Sequence, residues 1–158
     1  MIKKLSPCRM VRIAVALLLL VGAGYMLWPH SFAALQPECD SITIIRTDDA
    51  EDLSYTTTKE TYSADSPAFA QIMDILSRYT YHRSFRTLAG AHWMEGNHAG
   101  FWLDVYLDHG DDRVDFTCGG TGEILIDVVW RVGYWGDRAS LSMMDELAAV
   151  LDGQETSE

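Results

Sequence analysis

The side chains with the greatest chemical reach in this chain fall in a few short stretches. Residues 91–100 (AHWMEGNHAG) place His92, Glu95 and His98 at three-residue spacing. Imidazole and carboxylate are zinc ligands, and three of them around an open fourth position could activate water for metal-assisted hydrolysis. The spacing is not that of HExxH, and Gly96 and Gly100 favour a loop, so an ordinary exposed loop is the plainer expectation. Asp108, Asp111, Asp112 and Asp115 could offer carboxylate oxygens to calcium. Asp and Gly are equally what a hairpin reversal needs, and the EF-hand spacing is missing. The expectation is therefore a protein without a cofactor, with zinc or calcium as the alternatives.

Two cysteines extend the chemistry to redox. Cys39 and Cys118 would share the exported part of the chain, where a bridge can persist, and a Cys39–Cys118 disulfide would add about 4 kcal/mol by restricting the unfolded ensemble. The competing expectation is that Cys118 simply fills apolar space. No GxSxG, P-loop, GxGxxG after a strand or CxxC occurs, and paired carboxylates are too many to single out a hydrolytic couple.

Aromatic side chains are the other candidates. Trp93, Trp102, Trp130 and Trp135 with Tyr106 and Tyr134 are numerous for a small domain. Trp102, Tyr106 and Trp135 are expected to form a binding groove for a protein or glycan partner if their face is open. A covering helix would turn them into a second core, which is the commoner arrangement on soluble domains.

Whatever these residues do, elements must position them, and the first element is a membrane segment. Residues 13–28 (IAVALLLLVGAGYMLW) are uncharged and mostly apolar, about 24 Å as a helix. That is short of a bilayer core, but the Arg12 stem can lie in lipid and extend it. Trp28 and Tyr25 fall where interfacial rings settle. Residues 1–12 form a basic cytoplasmic segment and residues 29–40 a linker. The chain has 12 Lys plus Arg against 23 Asp plus Glu, a net charge of −11. Residues 1–30 hold four basic groups and no acid, so residues 31–158 carry 8 − 23 = −15. This asymmetry sets the N-terminus in the cytoplasm and residues 31–158 outside. The alternative is a signal peptide cleaved near Ala33, and a buried core helix is disfavoured by the lack of a polar stripe. The acidic balance excludes a nucleic-acid partner.

Beyond the linker, 48% hydrophobic residues over 158 positions allow one small domain, residues 41–152, ahead of an acidic tail, 153–158. Ser41–Thr47 and Leu53–Tyr62 read as strands joined by an acidic turn. Ser66 and Pro67 open a helix with Phe69, Ile72, Met73, Leu76 and Tyr79 on one stripe. A third strand is expected within residues 79–88, with Tyr81, Arg83 and Phe85 on one side. Phe101–Leu107 alternates as a half-buried strand, with Trp102, Asp104 and Tyr106 opposite Phe101, Leu103, Val105 and Leu107. Arg113–Cys118 returns beside it, Gly119, Gly120 and Gly122 reverse the chain, and residues 123–129 and 130–135 supply more strand. A helix capped by Ser140 or Ser142, bearing Leu141, Met144, Leu147, Ala148 and Leu151 and ended by Gly153, closes the domain. The order ββα, a run of strands and a last helix predicts an α+β fold, an antiparallel sheet with helices on one face behind an N-terminal transmembrane helix.

The quoted strands and helices, SITIIR, QIMDILSRY, FWLDVYLDHGDDRVDF and MMDELAAVL, resemble small membrane-anchored extracytoplasmic domains of Gram-positive bacteria over residues 41–152. The resemblance implies a surface-tethered domain and brings no catalytic residues. The function expected is a non-enzymatic, membrane-tethered binding or sensing module, with a metal-assisted hydrolase using His92, Glu95 and His98 as the alternative.

Overall fold

The computed structural model describes residues 7–35, 38–49, 55–94, 96 and 99–155. Its first element is helix α1, Pro7–Leu27, in which Cys8–Leu27 is long and apolar enough to cross a membrane and has no buried side chain. After α1 the chain does not run free. His30 and Tyr81 exchange both backbone hydrogen bonds, and the one-turn helix α2, Phe32–Leu35, buries Phe32 in the core. The expected linker is thus largely part of the domain.

The domain is a seven-stranded antiparallel sheet in the order β2-β1-β4-β5-β6-β7-β3, with helices α3 and α5 on one face. Strand β1 is Ser41–Asp49 and β2 is Tyr55–Ser63, paired from Ser41↔Ser63 to Asp49↔Tyr55. Leu53 and the middle of the expected acidic turn lie outside the described residues. Helix α3, Pro67–Arg78, starts as the sequence predicts, for the Ser66 hydroxyl accepts the Phe69 amide at 3.1 Å. It carries the chain from one edge of the sheet to the other, to β3, Tyr81–His82.

The third strand is shorter than expected. It stops at His82, and residues 85–88 form a helical turn, α4, in place of an alternating strand. Ser84 and Thr87 close a reciprocal capping box: each side chain takes the other's backbone amide. That local pairing satisfies donors that a strand would have needed a neighbour to satisfy.

Strands β4, Phe101–His109, and β5, Asp112–Cys118, form the hairpin read from the alternation, with Gly110 at φ 59° in its turn. Strands β6, Glu123–Ile126, and β7, Val128–Val132, are divided at Asp127, a non-glycine residue at φ 56°. Helix α5, Arg138–Glu155, begins before both expected caps and runs past Gly153. Ser140 lies buried in its first turn instead, donating to the Asp137 carbonyl and accepting the Gly122 amide at 2.7 Å. The core is the layer between sheet and helices: Ile42, Ile44, Leu103, Val105, Phe116 and Ile124 face Ile72, Leu76, Met143 and Leu147.

Candidate functional site

Strand β4 divides its side chains as its alternation requires. Phe101, Leu103, Val105 and Leu107 are buried, whereas Trp102, Asp104, Tyr106 and Asp108 are partly exposed on the opposite face. Beside Tyr106 are Thr43 of β1 and Asp115 of β5. The Arg113 guanidinium lies 5.4 Å from the Tyr106 ring centre, a cation–π contact. Thr43, Ile45, Lys59, Tyr106 and Arg113 border a shallow depression of about 260 Å³. Among the described residues no helix covers this half of the sheet face. It offers one aromatic ring, two cations and the Thr43–Thr61 hydroxyl pair at 2.9 Å, a surface suited to recognition by stacking and hydrogen bonds.

The other half of this face is covered. Helix α4 and the stretch after it run along the edge of β7 away from β6: the Thr87 hydroxyl donates to the Val129 carbonyl and the Val129 amide to the Ala91 carbonyl, and the Arg86 side chain reaches across to pair with Glu123 of β6 at 3.3 Å. Trp102 is at the boundary. Its ring packs so closely on Gly119 that a Cβ there would come within 2.7 Å of it.

Trp135 is not with Trp102 and Tyr106. It stands 81% exposed after β7, on the side of α1, with Tyr134 next to it. The three aromatics expected to share a groove therefore serve two surfaces. The second contains Phe85 and Leu88 of α4, which alternation had assigned to a strand. The sequence signal that could have located them is the Ser84–Thr87 capping pair, which turns the backbone and leaves Phe85 83% exposed.

The structure describes only part of the expected metal sites. Of the zinc candidates, Glu95 and His98 lie outside the described residues, and His92 is exposed with Nδ1 donating to the Asp127 carbonyl at 2.5 Å. Of the calcium candidates, Asp108 accepts from Arg113 Nε at 2.5 Å and Nη2 at 3.2 Å. That bidentate bond, chiefly, holds its carboxyl below the usual carboxylate range. Asp111, Asp112 and Asp115 are exposed around the turn. Among the described residues no three His, Cys, Asp or Glu side chains converge on one point.

Cys39 and Cys118 are free thiols that the fold keeps apart. Cys118 is level with Leu103 on β4, while Ser41, two residues after Cys39, is level with Asp108. Five positions along a strand are about 17 Å, well beyond the roughly 7 Å at which two Cα atoms can be bridged. The expected bridge gives way to two separate roles. Cys118 is fully buried with Sγ 3.8 Å from the Leu103 carbonyl, and burial pushes its thiol pKa up. Cys39 packs on Met73, Sγ to Sδ 3.9 Å, and its pKa is also raised, first by burial and then by Asp40 and Asp108.

At the seam with α1, Arg83 donates to His30 Nε2 at 2.7 Å and lies 4.4 Å from the Tyr25 ring centre. His82 is 2% exposed, its ring 4.1 Å from that of Tyr134, and its Nδ1 has no hydrogen-bond partner. Burial lowers the pKa of both histidines, against the pull of the Leu27 and Trp28 carbonyls on His82.

Comparison with known proteins finds no matching family model, no matching curated protein and no matching solved structure.

Proposed function

We propose that this protein is a membrane-tethered extracytoplasmic module, non-enzymatic, that binds or senses a protein or glycan partner on the open half of its sheet. The observation that carries the reading is the seam: an apolar helix with no buried side runs, through Trp28 and Pro29 only, into the paired His30. A helix that keeps all its apolar surface outside the protein core is stable in lipid. The four positive charges ahead of Ile13, Lys3, Lys4, Arg9 and Arg12, favour a cytoplasmic N-terminus, with residues 31–158 outside.

The seam also supports retention of the helix over cleavage near Ala33. Such cleavage would remove His30 from Tyr81 and take Phe32, 1% exposed, out of the core beside Tyr81 and Phe116. The open half-face is at the far edge from the seam. From β3 it is six strand spacings to Lys59 on β2, about 29 Å, four to Tyr106 on β4, about 19 Å, and three to Arg113 on β5, about 14 Å, so the open half-face would be displaced from the headgroups.

Lysine positions make the topology testable. The chain has lysines at 3, 4 and 59 only. A membrane-impermeant amine reagent added to intact cells should label Lys59 and reach Lys3 and Lys4 only after lysis, with the labelled chain keeping its full mass. Labelling of all three only after lysis would defeat the reading. A labelled chain shortened to begin near residue 34 would replace the anchor by a signal peptide.

A further inference from the structure

We propose that the domain stands on the membrane through a foot of its own, in which Phe85 and Leu88 of α4 and Trp135 beyond β7 enter the outer leaflet beside α1. This rests on α1 being a membrane span, as argued above. The first observation is exposure. Phe85 is 83% exposed, Trp135 81%, Leu88 55% and Tyr134 47%, and apolar side chains gathered on one surface mark a site of association.

What they associate with follows from where they are. These side chains share a cavity of about 760 Å³ with α1, whose wall runs from Leu18 to Leu27. Nine helical steps are about 14 Å, the depth of one hydrocarbon leaflet. One wall of this cavity is the span itself and the other carries Phe85, Leu88 and Trp135 with Arg83, Ser84 and Arg131 among them, so acyl chains that surround α1 are continuous with the space in front of Phe85 and Trp135. There is no slack to lift the foot away, because His30 is already paired to Tyr81, and Arg83 and α4 follow β3 directly.

Charge selects the same occupant. Residues 79–93 and 128–138 carry Arg83, Arg86, Arg131 and Arg138 against Asp137, 4 − 1 = +3, within a region of −15. Four of the eight basic side chains of residues 31–158 are thus collected where anionic headgroups would be, Arg86 among them in a pair with Glu123, and Trp and Tyr are the rings that settle at that level.

The test uses the full chain in vesicles of phosphatidylcholine with a minority of phosphatidylglycerol, with and without phosphatidylcholine brominated along its acyl chains. Bromine quenches tryptophan in contact with it. Of the five tryptophans, Trp28 reports on the span and Trp135 on the foot. Trp28→Phe and Trp135→Phe should each remove about half of the quenchable emission, since two indoles sit at the interface. If Trp28→Phe lowers it and Trp135→Phe leaves it unchanged, the span stands and the foot is overturned, which is also the result if that surface serves a second membrane protein. If the chain does not float with the vesicles and no emission is quenched, α1 is not a span and both proposals fall.

Discussion

His30 and Tyr81 exchange backbone hydrogen bonds of 2.8 Å and 3.0 Å, adding one residue of the chain that follows α1 to the edge of the sheet. Two residues on, the Phe32 ring is 5.9 Å from that of Tyr81 and 5.8 Å from that of Phe116. The stretch between helix and domain is therefore structural. Phe32→Ala should cost about 3–5 kcal/mol, the usual loss for a buried ring with no replacement. Denaturant unfolding of the full chain in detergent checks this, and a cost below about 1 kcal/mol would show that the domain does not use Phe32.

The seam should also loosen in mild acid. His30 and His82 have pKa values lowered from 6.5, chiefly by burial. Their neutral forms are favoured in the folded state, so the unfolded chain takes up protons first as pH falls. Stability is then full above about 6.5 and declines as pH drops from there through the folded-state values. A protonated His30 could no longer accept from Arg83. The melting temperature should fall between about pH 7 and 5, and the fall should be smaller in His30→Asn with His82→Gln. Asp108 cannot account for it: its carboxyl pKa is already below the usual range, so that contribution is lost only at lower pH.

Thiol chemistry separates the two cysteines of the domain. Cys118 is completely buried and its thiol pKa is raised, so it should react with maleimide only on unfolding. Cys39 is half-buried and should react slowly in the folded protein. Cys118→Val should be well tolerated because the site is apolar. Mass measurement of non-reduced chain should find both thiols free, and a mass two hydrogens lower with Cys39 and Cys118 cross-linked would contradict the register of β1, β4 and β5.

Periodic elements were legible in the sequence because burial repeats with the backbone. Alternation in Phe101–Leu107 located β4 and its inward face, and Ser66–Pro67 located the start of α3. The misread segments are those where a local polar bond outweighs the pattern. Residues 83–88 alternate as a strand would, but the Ser84–Thr87 box commits them to a turn of helix. Ser140 reads as a cap and is spent on Gly122, an amide left by a reversal 18 residues earlier.

The candidate site was less legible than the fold. Trp102 and Tyr106 were placed correctly on one face by strand parity, but parity cannot say which strand lies beside which. Trp135 went to the other surface because the order β6-β7-β3 carries it to the edge next to α1. Cys39 and Cys118 belong to one domain, yet their separation depends on the β1–β4 register, which pairs Ser41 with Asp108. Long-range register is information about pairing, and a single chain's composition does not hold it.

The open half-face makes a last prediction that separates recognition from stability on one strand. Leu107 is 1% exposed in the core, whereas its neighbour Tyr106 points to the other side, under Arg113. Leu107→Ala should cost about 2–5 kcal/mol through the cavity it leaves. Tyr106→Ala should cost less than about 1.5 kcal/mol, because the ring is already partly hydrated and loses only its contact with the cation. Denaturant curves of the two variants measured side by side give the comparison. If Tyr106→Ala proved as damaging as Leu107→Ala, the ring would be part of a second core, and a face built to stay open for a partner would be the wrong description of that surface.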